Sequence, residues 1–259
     1  MNVPNETSFR VKSYATRGMM GRAAARDAAQ VIRDMLAVKP TINVIFAAAP
    51  SQNEVLAALL EQDVDFSRIR AFHMDEYVGL PEGAPQSFGQ YLREHIFDRA
   101  HFMEVNYING RAEDIDAECA RYAALLKKYP PDIVMMGIGE NGHIAFNDPA
   151  EADLSDPLAV KRVALDDVCR MQQVHDGCFE KIDDVPKYAV TLTVPTLTSA
   201  LTQICVVPAP TKANAVKETV CGPIGSHCPA TALRLCRDAR MYLDADSSAL
   251  IKTVWVRSL

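Results

Sequence analysis

The sequence predicts an α/β fold: one domain over residues 1–259, with a mainly parallel sheet and helices on both faces. Three observations predict it. Short apolar runs alternate along the chain with longer stretches of helical periodicity. The composition, 49% hydrophobic and 23% charged, supplies a core large enough for such a domain. No linker, repeat or low-complexity segment divides the chain.

The elements follow in order. Thr16 to Val38 is alanine-rich, with Ala24, Ala28, Val31, Ile32 and Met35 at helical spacing, and Lys39-Pro40 ends it. Thr41 to Ala49 (TINVIFAAA) is a short apolar run bounded by prolines, which favours a buried strand. Ser51 is placed to cap a helix over Gln52 to Gln62. Arg68 to Met74 reads as the next strand. Gln86 to Arg99 and Ala112 to Tyr129 read as helices, and Asp132 to Gly137 as a strand. Leu154 to Asp184 is polar and mixed, and reads as loop plus a short helix. Lys187 to Val194 and Gln203 to Val207 read as strands, Thr211 to Cys221 and Pro229 to Leu235 as helices, and Met241 to Leu243 as the last strand.

Composition narrows the function classes. The formal net charge of −6 provides no global basic field for nucleic acid, so an anionic substrate needs a local positive site. No run of about 18 apolar residues predicts a membrane span. The polar N-terminal stretch MNVPNETSFRVKSY lacks the apolar core of a signal peptide. The seven cysteines are odd in number and include no CxxC pair, against a disulfide framework or a zinc site; cytoplasmic thiols packed as small hydrophobes are expected.

The richest stretch is Met135 to Pro149 (MMGIGENGHIAFNDP). An apolar strand runs into a turn in which Gly137, Gly139 and Gly142 allow positive φ or close approach to a ligand. The same turn delivers Glu140, Asn141, His143 and Asp148. Such a strand end is where an open α/β sheet builds a site. The bland alternative is an ordinary strand-to-helix connection with a surface histidine. The three glycines match G-x-G-x-x-G, but the chain continues HIAFNDP rather than into a clear helix, so no nucleotide site is expected. A second strand, Ala71 to Leu80 (AFHMDEYVGL), also ends in acids.

These two stretches, with VPKYA at 185–189 and PTKANAV at 210–216, resemble the glucosamine-6-phosphate deaminase/isomerase family. The order and spacing match over most of the chain. The resemblance implies a single α/β domain of modified Rossmann type. It implies conversion of glucosamine 6-phosphate to fructose 6-phosphate and ammonia, in amino-sugar catabolism. That chemistry requires no metal and no organic cofactor. The expected partner is a small phosphosugar, bound by a cytoplasmic enzyme that works alone or as a homo-oligomer, without nucleic acid or membrane.

Residue by residue, Asp75 matches the family's enolisation base, which relays a proton between C2 and C1; the alternative is a loop-capping aspartate. Glu76 is expected to order that loop or hold Asp75. His143 matches the ring-opening histidine, and Asp148 stands where the family usually has glutamate, to orient His143. Asn141 replaces a common aspartate. It cannot take a proton, but it can hydrogen-bond His143 or a sugar hydroxyl. Lys212 matches the phosphate lysine at a helix start. Gly137 and Gly139 line the substrate.

The phosphate loop departs from the family's P-T-G-G-T-P. Here it reads AAAPSQ, leaving Ser51, Gln52 and nearby backbone N–H groups to hold the anion. The family's phosphate arginine falls near Arg170 or His175; both stay open, and Arg170 is the better charge donor. These departures keep galactosamine-6-phosphate isomerase/deaminase and 6-phosphogluconolactonase as alternatives, and beyond them a non-catalytic sugar-phosphate sensor.

Overall fold

The computed structural model describes residues 7–175 and 177–251, the side chain of residue 168 excepted. The first six residues of the polar N-terminal stretch therefore lie outside the described residues.

Seven strands form the main sheet: β1 (Phe9–Ser13), β2 (Ile42–Phe46), β3 (Ile69–His73), β5 (Glu104–Asn106), β6 (Ile133–Met136), β9 (Thr202–Val207) and β10 (Ala239–Leu243). Their order is β1-β10-β9-β6-β2-β3-β5, and every pair is parallel. Three further strands, β4 (Asp75–Tyr77), β7 (Val160–Ala164) and β8 (Tyr188–Leu192), make a small antiparallel sheet in the order β4-β8-β7. The expected strand over 187–194 therefore exists, but it pairs outside the main sheet.

Burial on both faces explains the continuous apolar strands. Val44, Phe46, Ile133, Met135, Ile204 and Val206 belong to one core. Their immediate neighbours Ile45, Val134, Met136, Cys205 and Val207 belong to the other. The period of two sends successive side chains to opposite faces. The first core is covered by α1 (Arg17–Val38) and α2 (Asn53–Leu60), where Gly21 lets the helices touch: a Cβ there would lie 2.5 Å from the Cβ of Glu54. The second is covered by α4 (Ile115–Lys128) and α7 (Ala213–Cys221).

Helix starts follow local chemistry. Thr16 accepts from the Met19 amide at 3.2 Å, and Asp114 caps α4 through the Ala117 amide at 2.9 Å. Ser51, in contrast, does not cap α2. Pro50 opens a 3-10 turn over Pro50–Gln52, and the helix starts at Asn53 with no side-chain cap. The expected helix over 86–99 is shorter, α3 (Phe88–Leu92), and continues as a π turn over Arg93–Phe97. The 154–184 stretch holds β7 and then α5 (Asp167–His175), and a short α6 (Val194–Thr198) follows β8.

Strands β3 and β5 lie on one side of β2, and β6, β9, β10 and β1 on the other. The strand order therefore reverses between β2 and β6. Ligands bind outside the carboxyl ends of strands at such a switch point.

Candidate active site

A cleft opens at that point. Its walls come from the residues that follow four strand ends: Ala47 to Gln52 after β2, Met74 and Asp75 after β3, Gly137 to Gly139, His143, Ala145 and Phe146 after β6, and Lys212 after β9. Phe88 of α3, Gln172 and Gln173 of α5, and Cys178 complete it. The parallel sheet thus brings together segments more than a hundred residues apart.

One end of the cleft is the loop after β6. The His143 Nδ1 lies 2.9 Å from the Asn141 Oδ1 and 3.0 Å from the Asp148 Oδ1. Both oxygens only accept, so Nδ1 carries the proton, and the lone pair of Nε2 is left for the cleft. The Asn141 Nδ2 donates to the same Asp148 oxygen at 2.8 Å, and the His143 amide donates to the Asn141 Oδ1 at 3.0 Å. Asn141 is therefore a clamp: it holds both the imidazole and its carboxylate. Gly139 is required here because a Cβ would sit 2.1 Å from the imidazole Cε1. Gly142 has φ +82, and a Cβ there would meet the Cys228 Sγ at 2.4 Å. Ala145 adopts φ 48 to turn the chain back under the cleft.

Asp148 is 2% exposed. Burial pushes its carboxyl upward, but hydrogen bonds from His143, Asn141 and the Cys169 thiol outweigh burial and hold it below the usual carboxylate range.

Asp75 is also buried, but it receives no hydrogen bond from the described side chains or amides. Burial first, and then the charge of Glu76, push its carboxyl well above the usual range. It lies in β4, paired with Thr191 of β8, so it is no loop cap. The pleat sends Glu76 the other way. Its carboxylate accepts from the amides of Tyr77 at 2.9 Å, Phe88 at 3.1 Å and Gly89 at 2.9 Å, and from the Ser87 hydroxyl at 2.8 Å. Glu76 thus pins the start of α3, and with it Phe88, to the strand that carries Asp75.

The other end of the cleft holds the cation. Lys212 is 7% exposed and ends a 3-10 turn over Pro210–Lys212. The preceding Ala209 takes φ 86, ψ 148, a region that costs a non-glycine residue of order 1–3 kcal/mol. The Asp244 Oδ2 accepts its amide at 3.0 Å and holds the turn. Ser51 and Gln52 face the same end. The Gln52 Nε2 donates to the Ser51 Oγ at 3.2 Å, and Gly137 lets both approach: a Cβ there would lie 3.2 Å from each of these atoms. The glycine-free loop is steadied from outside, by the Tyr91 hydroxyl on the Ala49 carbonyl at 2.7 Å and by Arg17 on the Pro50 carbonyl at 2.8 Å.

Arg170, expected at the phosphate, does not line the cleft. Its guanidinium donates to the Ile182 carbonyl at 2.6 Å and the Val185 carbonyl at 3.3 Å, and pairs with Asp167 at 3.1 Å. It ties α5 to the loop before β8. His175, at the end of α5, is exposed and also absent from the cleft wall. The helix meets the cleft through Gln172 and Gln173 instead. The Gln172 Oε1 accepts the Glu140 amide at 3.0 Å, and the Gln173 Oε1 accepts the Tyr77 hydroxyl at 2.7 Å. Their signal in the sequence was only the polar pair in CRMQQVH. Lys161, too, is engaged, with Asp156 at 2.9 Å and the Glu151 carbonyl at 2.6 Å.

A model of the family described as glucosamine-6-phosphate isomerases/6-phosphogluconolactonase matches residues 15–242. The chain belongs to this family. A glucosamine-6-phosphate deaminase of Listeria monocytogenes serotype 4a (strain HCC23) is 36% identical over 211 residues, covering 81% of this chain and 88% of the relative. The deaminase of Streptococcus sanguinis (strain SK36) is 34% identical over 206 residues, covering 80% of this chain and 86% of that one. Among solved structures, a monomeric glucosamine-6-phosphate deaminase superposes with a TM-score of 0.86 at 29% identity, covering 93% of this chain and 99% of that chain. A 6-phosphogluconolactonase from Thermotoga maritima shares the fold, with a TM-score of 0.75 at 18% identity over 92% of this chain and 100% of that one. Among the described residues no group of three His, Cys, Asp or Glu is placed to hold a metal ion, and no helix is long and apolar enough to cross a membrane.

Proposed function

We propose that this chain is an enzyme that converts glucosamine 6-phosphate and water to fructose 6-phosphate and ammonia. One observation carries the reading. A cleft at the switch point places a lysine and a serine hydroxyl at one end, a buried carboxyl with a raised pKa, and an imidazole whose tautomer is set by two acceptors.

Lys212 and the Ser51 hydroxyl hold the phosphate, so that binding of the remote group orients the reacting carbons. The His143 Nε2 takes the proton of the anomeric hydroxyl and returns a proton to the ring oxygen as the ring opens. The Nδ1 proton stays on the Asp148–Asn141 pair and stabilises the imidazolium formed in between. Asp75, as carboxylate, then removes the C2 proton while the amino group gives up a proton and O1 gains one, which leaves an enolamine. Asp75 returns its proton to C1, and the enolamine becomes a C2 imine with a hydroxyl on C1; water adds to C2, and ammonia leaves. A carboxyl whose burial raises its pKa towards working pH suits both halves of the transfer. Arg170 has no part in binding the phosphate.

The deciding experiment is ammonia release from glucosamine 6-phosphate by the purified protein, with galactosamine 6-phosphate and 6-phosphogluconolactone run beside it. Release from the gluco sugar, abolished in Asp75→Asn with substrate still bound, is the expected result. Acid release from the lactone without ammonia from either sugar would overturn it in favour of the lactonase chemistry. Tight binding of a sugar phosphate with no turnover would favour a sensor.

A further inference from the structure

Gln52 is fully buried, yet its side chain forms part of the cleft wall. One end of its amide meets the Ser51 Oγ; the other, Oε1, has no hydrogen-bond partner among the described residues. A serine hydroxyl both donates and accepts, so turning the amide over would satisfy one end and orphan the other just the same. A buried polar atom left unpaired costs about 1–3 kcal/mol, and an orphan of this kind calls for an explanation.

Its position supplies one. Gly137 packs against Ser51 and Gln52, whereas Gly139, two residues on, packs against the His143 ring. The Gly137–Ile138–Gly139 segment therefore runs from the anion end of the cleft to the reacting end. A hexosamine 6-phosphate laid along it, phosphate on Ser51 and Lys212 and C1 on His143, brings the hydroxyls nearest its phosphate-bearing carbon over Gln52. In the six-membered ring the C5 oxygen is the ring atom, so the first free hydroxyl from the phosphate end is that on C4. The terminal torsion of glutamine is broad, so a small rotation turns the free oxygen to that hydroxyl while Nε2 stays within reach of the Ser51 Oγ.

We infer that Gln52 is the specificity-determining residue for the C4 hydroxyl, accepting its hydrogen bond through Oε1. The assignment rests on the deaminase reading above. It also gives the side chain two tasks, since the amide on the Ser51 Oγ leaves the serine O–H directed to the phosphate.

The test is Gln52→Met, near in volume and without polar groups. Steady-state kinetics are measured with glucosamine 6-phosphate and its C4 epimer galactosamine 6-phosphate; whichever is not turned over is measured as a competitive inhibitor. The expected result is about a tenfold loss of preference between the epimers, carried in KM or Ki with kcat little changed. The free variant should melt no lower than wild type, because an orphaned acceptor has been removed, while the melting shift produced by glucosamine 6-phosphate shrinks. A structural role would give the opposite: a lower melting point and an unchanged epimer ratio. Gln52→Asn, which keeps the amide but withdraws it by one methylene, serves as the second variant and should also lose the preference. Equal weakening of both epimers in both variants would make Gln52 a phosphate ligand only and overturn the inference. If the wild-type protein releases no ammonia from either sugar, the reaction assignment fails instead; an active wild type with an unchanged ratio in the variants sinks the inference alone.

Discussion

Two aspartates in one cleft are pushed in opposite directions. Asp75 and Asp148 are both buried, at 7% and 2% exposure. Asp148 accepts from His143 and Asn141 and is held low. Asp75 has no donor among the described residues and is held high, by burial first and then by the charge of the neighbouring Glu76. The difference lies in their backbones. Asp148 follows a loop that folds back on itself and wraps the carboxylate with donors. Asp75 sits in an extended strand whose amides are committed to β8, leaving its side chain to the cleft. One chemical group thus becomes a fixed anion that steadies an imidazole in one place, and a carboxyl of raised proton affinity in the other.

Substitutions can break this contrast. Asp75→Asn should give the largest loss, about 10²–10⁴-fold in kcat, with the substrate-induced melting shift kept; near-normal turnover would remove the proton-carrier role. Asp148→Asn should cost about 10²-fold in kcat, because an amide in its place can donate to the imidazole and permit the wrong tautomer. Asn141→Asp should be milder than either, since a carboxylate can still accept from the imidazole Nδ1. An effect as large as that of Asp75→Asn would show that Asn141 does more than clamp.

The two aspartates should also differ in their effect on stability at neutral pH. Asp75 ionises less readily in the folded state than in the unfolded chain, so as pH rises above the usual carboxylate range the unfolded state loses protons first and folding is weakened. Asp75→Asn removes that penalty and should raise the melting temperature. Asp148 is the reverse case. Its stabilisation is present above its unfolded pKa and is lost as pH falls, so Asp148→Asn should lower the melting temperature at pH 7. Equal signs in thermal melts would contradict the opposed environments. The smallest effect is on the rate profile. The acid limb of kcat/KM should lie above the usual carboxylate range and keep its position in Asn141→Asp, because Asp75 sets it.

A buried neighbour adds an acid-side term. His73 takes the Ile108 amide on Nε2 at 2.8 Å, and burial lowers its pKa to about 4. The unfolded chain binds its proton nearer pH 6.5, so stability should fall by roughly 3 kcal/mol as pH drops through that window. Urea melts of His73→Gln should lack that fall.

Much of this protein was legible in its sequence, and the parts that were not share a cause. The central strands were readable because burial on both faces makes them continuous apolar runs. α1 was readable because Thr16, an alanine-rich face and Lys39-Pro40 mark its ends. The edge and small-sheet strands FRVKS, EVN and VKRVA give no clear signal in the sequence, because half-exposed or three-residue strands carry little apolar pattern. The candidates Asp75 and His143 are visible because each lies within a few residues of a strand end, inside the two stretches that carry the family resemblance, and that resemblance is what gives them their roles.

What stayed hidden depends on which distant segments meet. Sequence alone could name Arg170 as a cation, but only the packing of α5 against 182–185 shows one end of its guanidinium turned to two backbone carbonyls. It could name Glu76 as an acid, but not that it anchors the start of α3. It placed Gln52 beside the anion loop and could not show that one end of its amide is left over. Residue type and local spacing determine which groups are available for chemistry. Burial, hydrogen-bond partners and therefore proton affinity arise from contacts between residues far apart in the chain, and only the tertiary structure decides those.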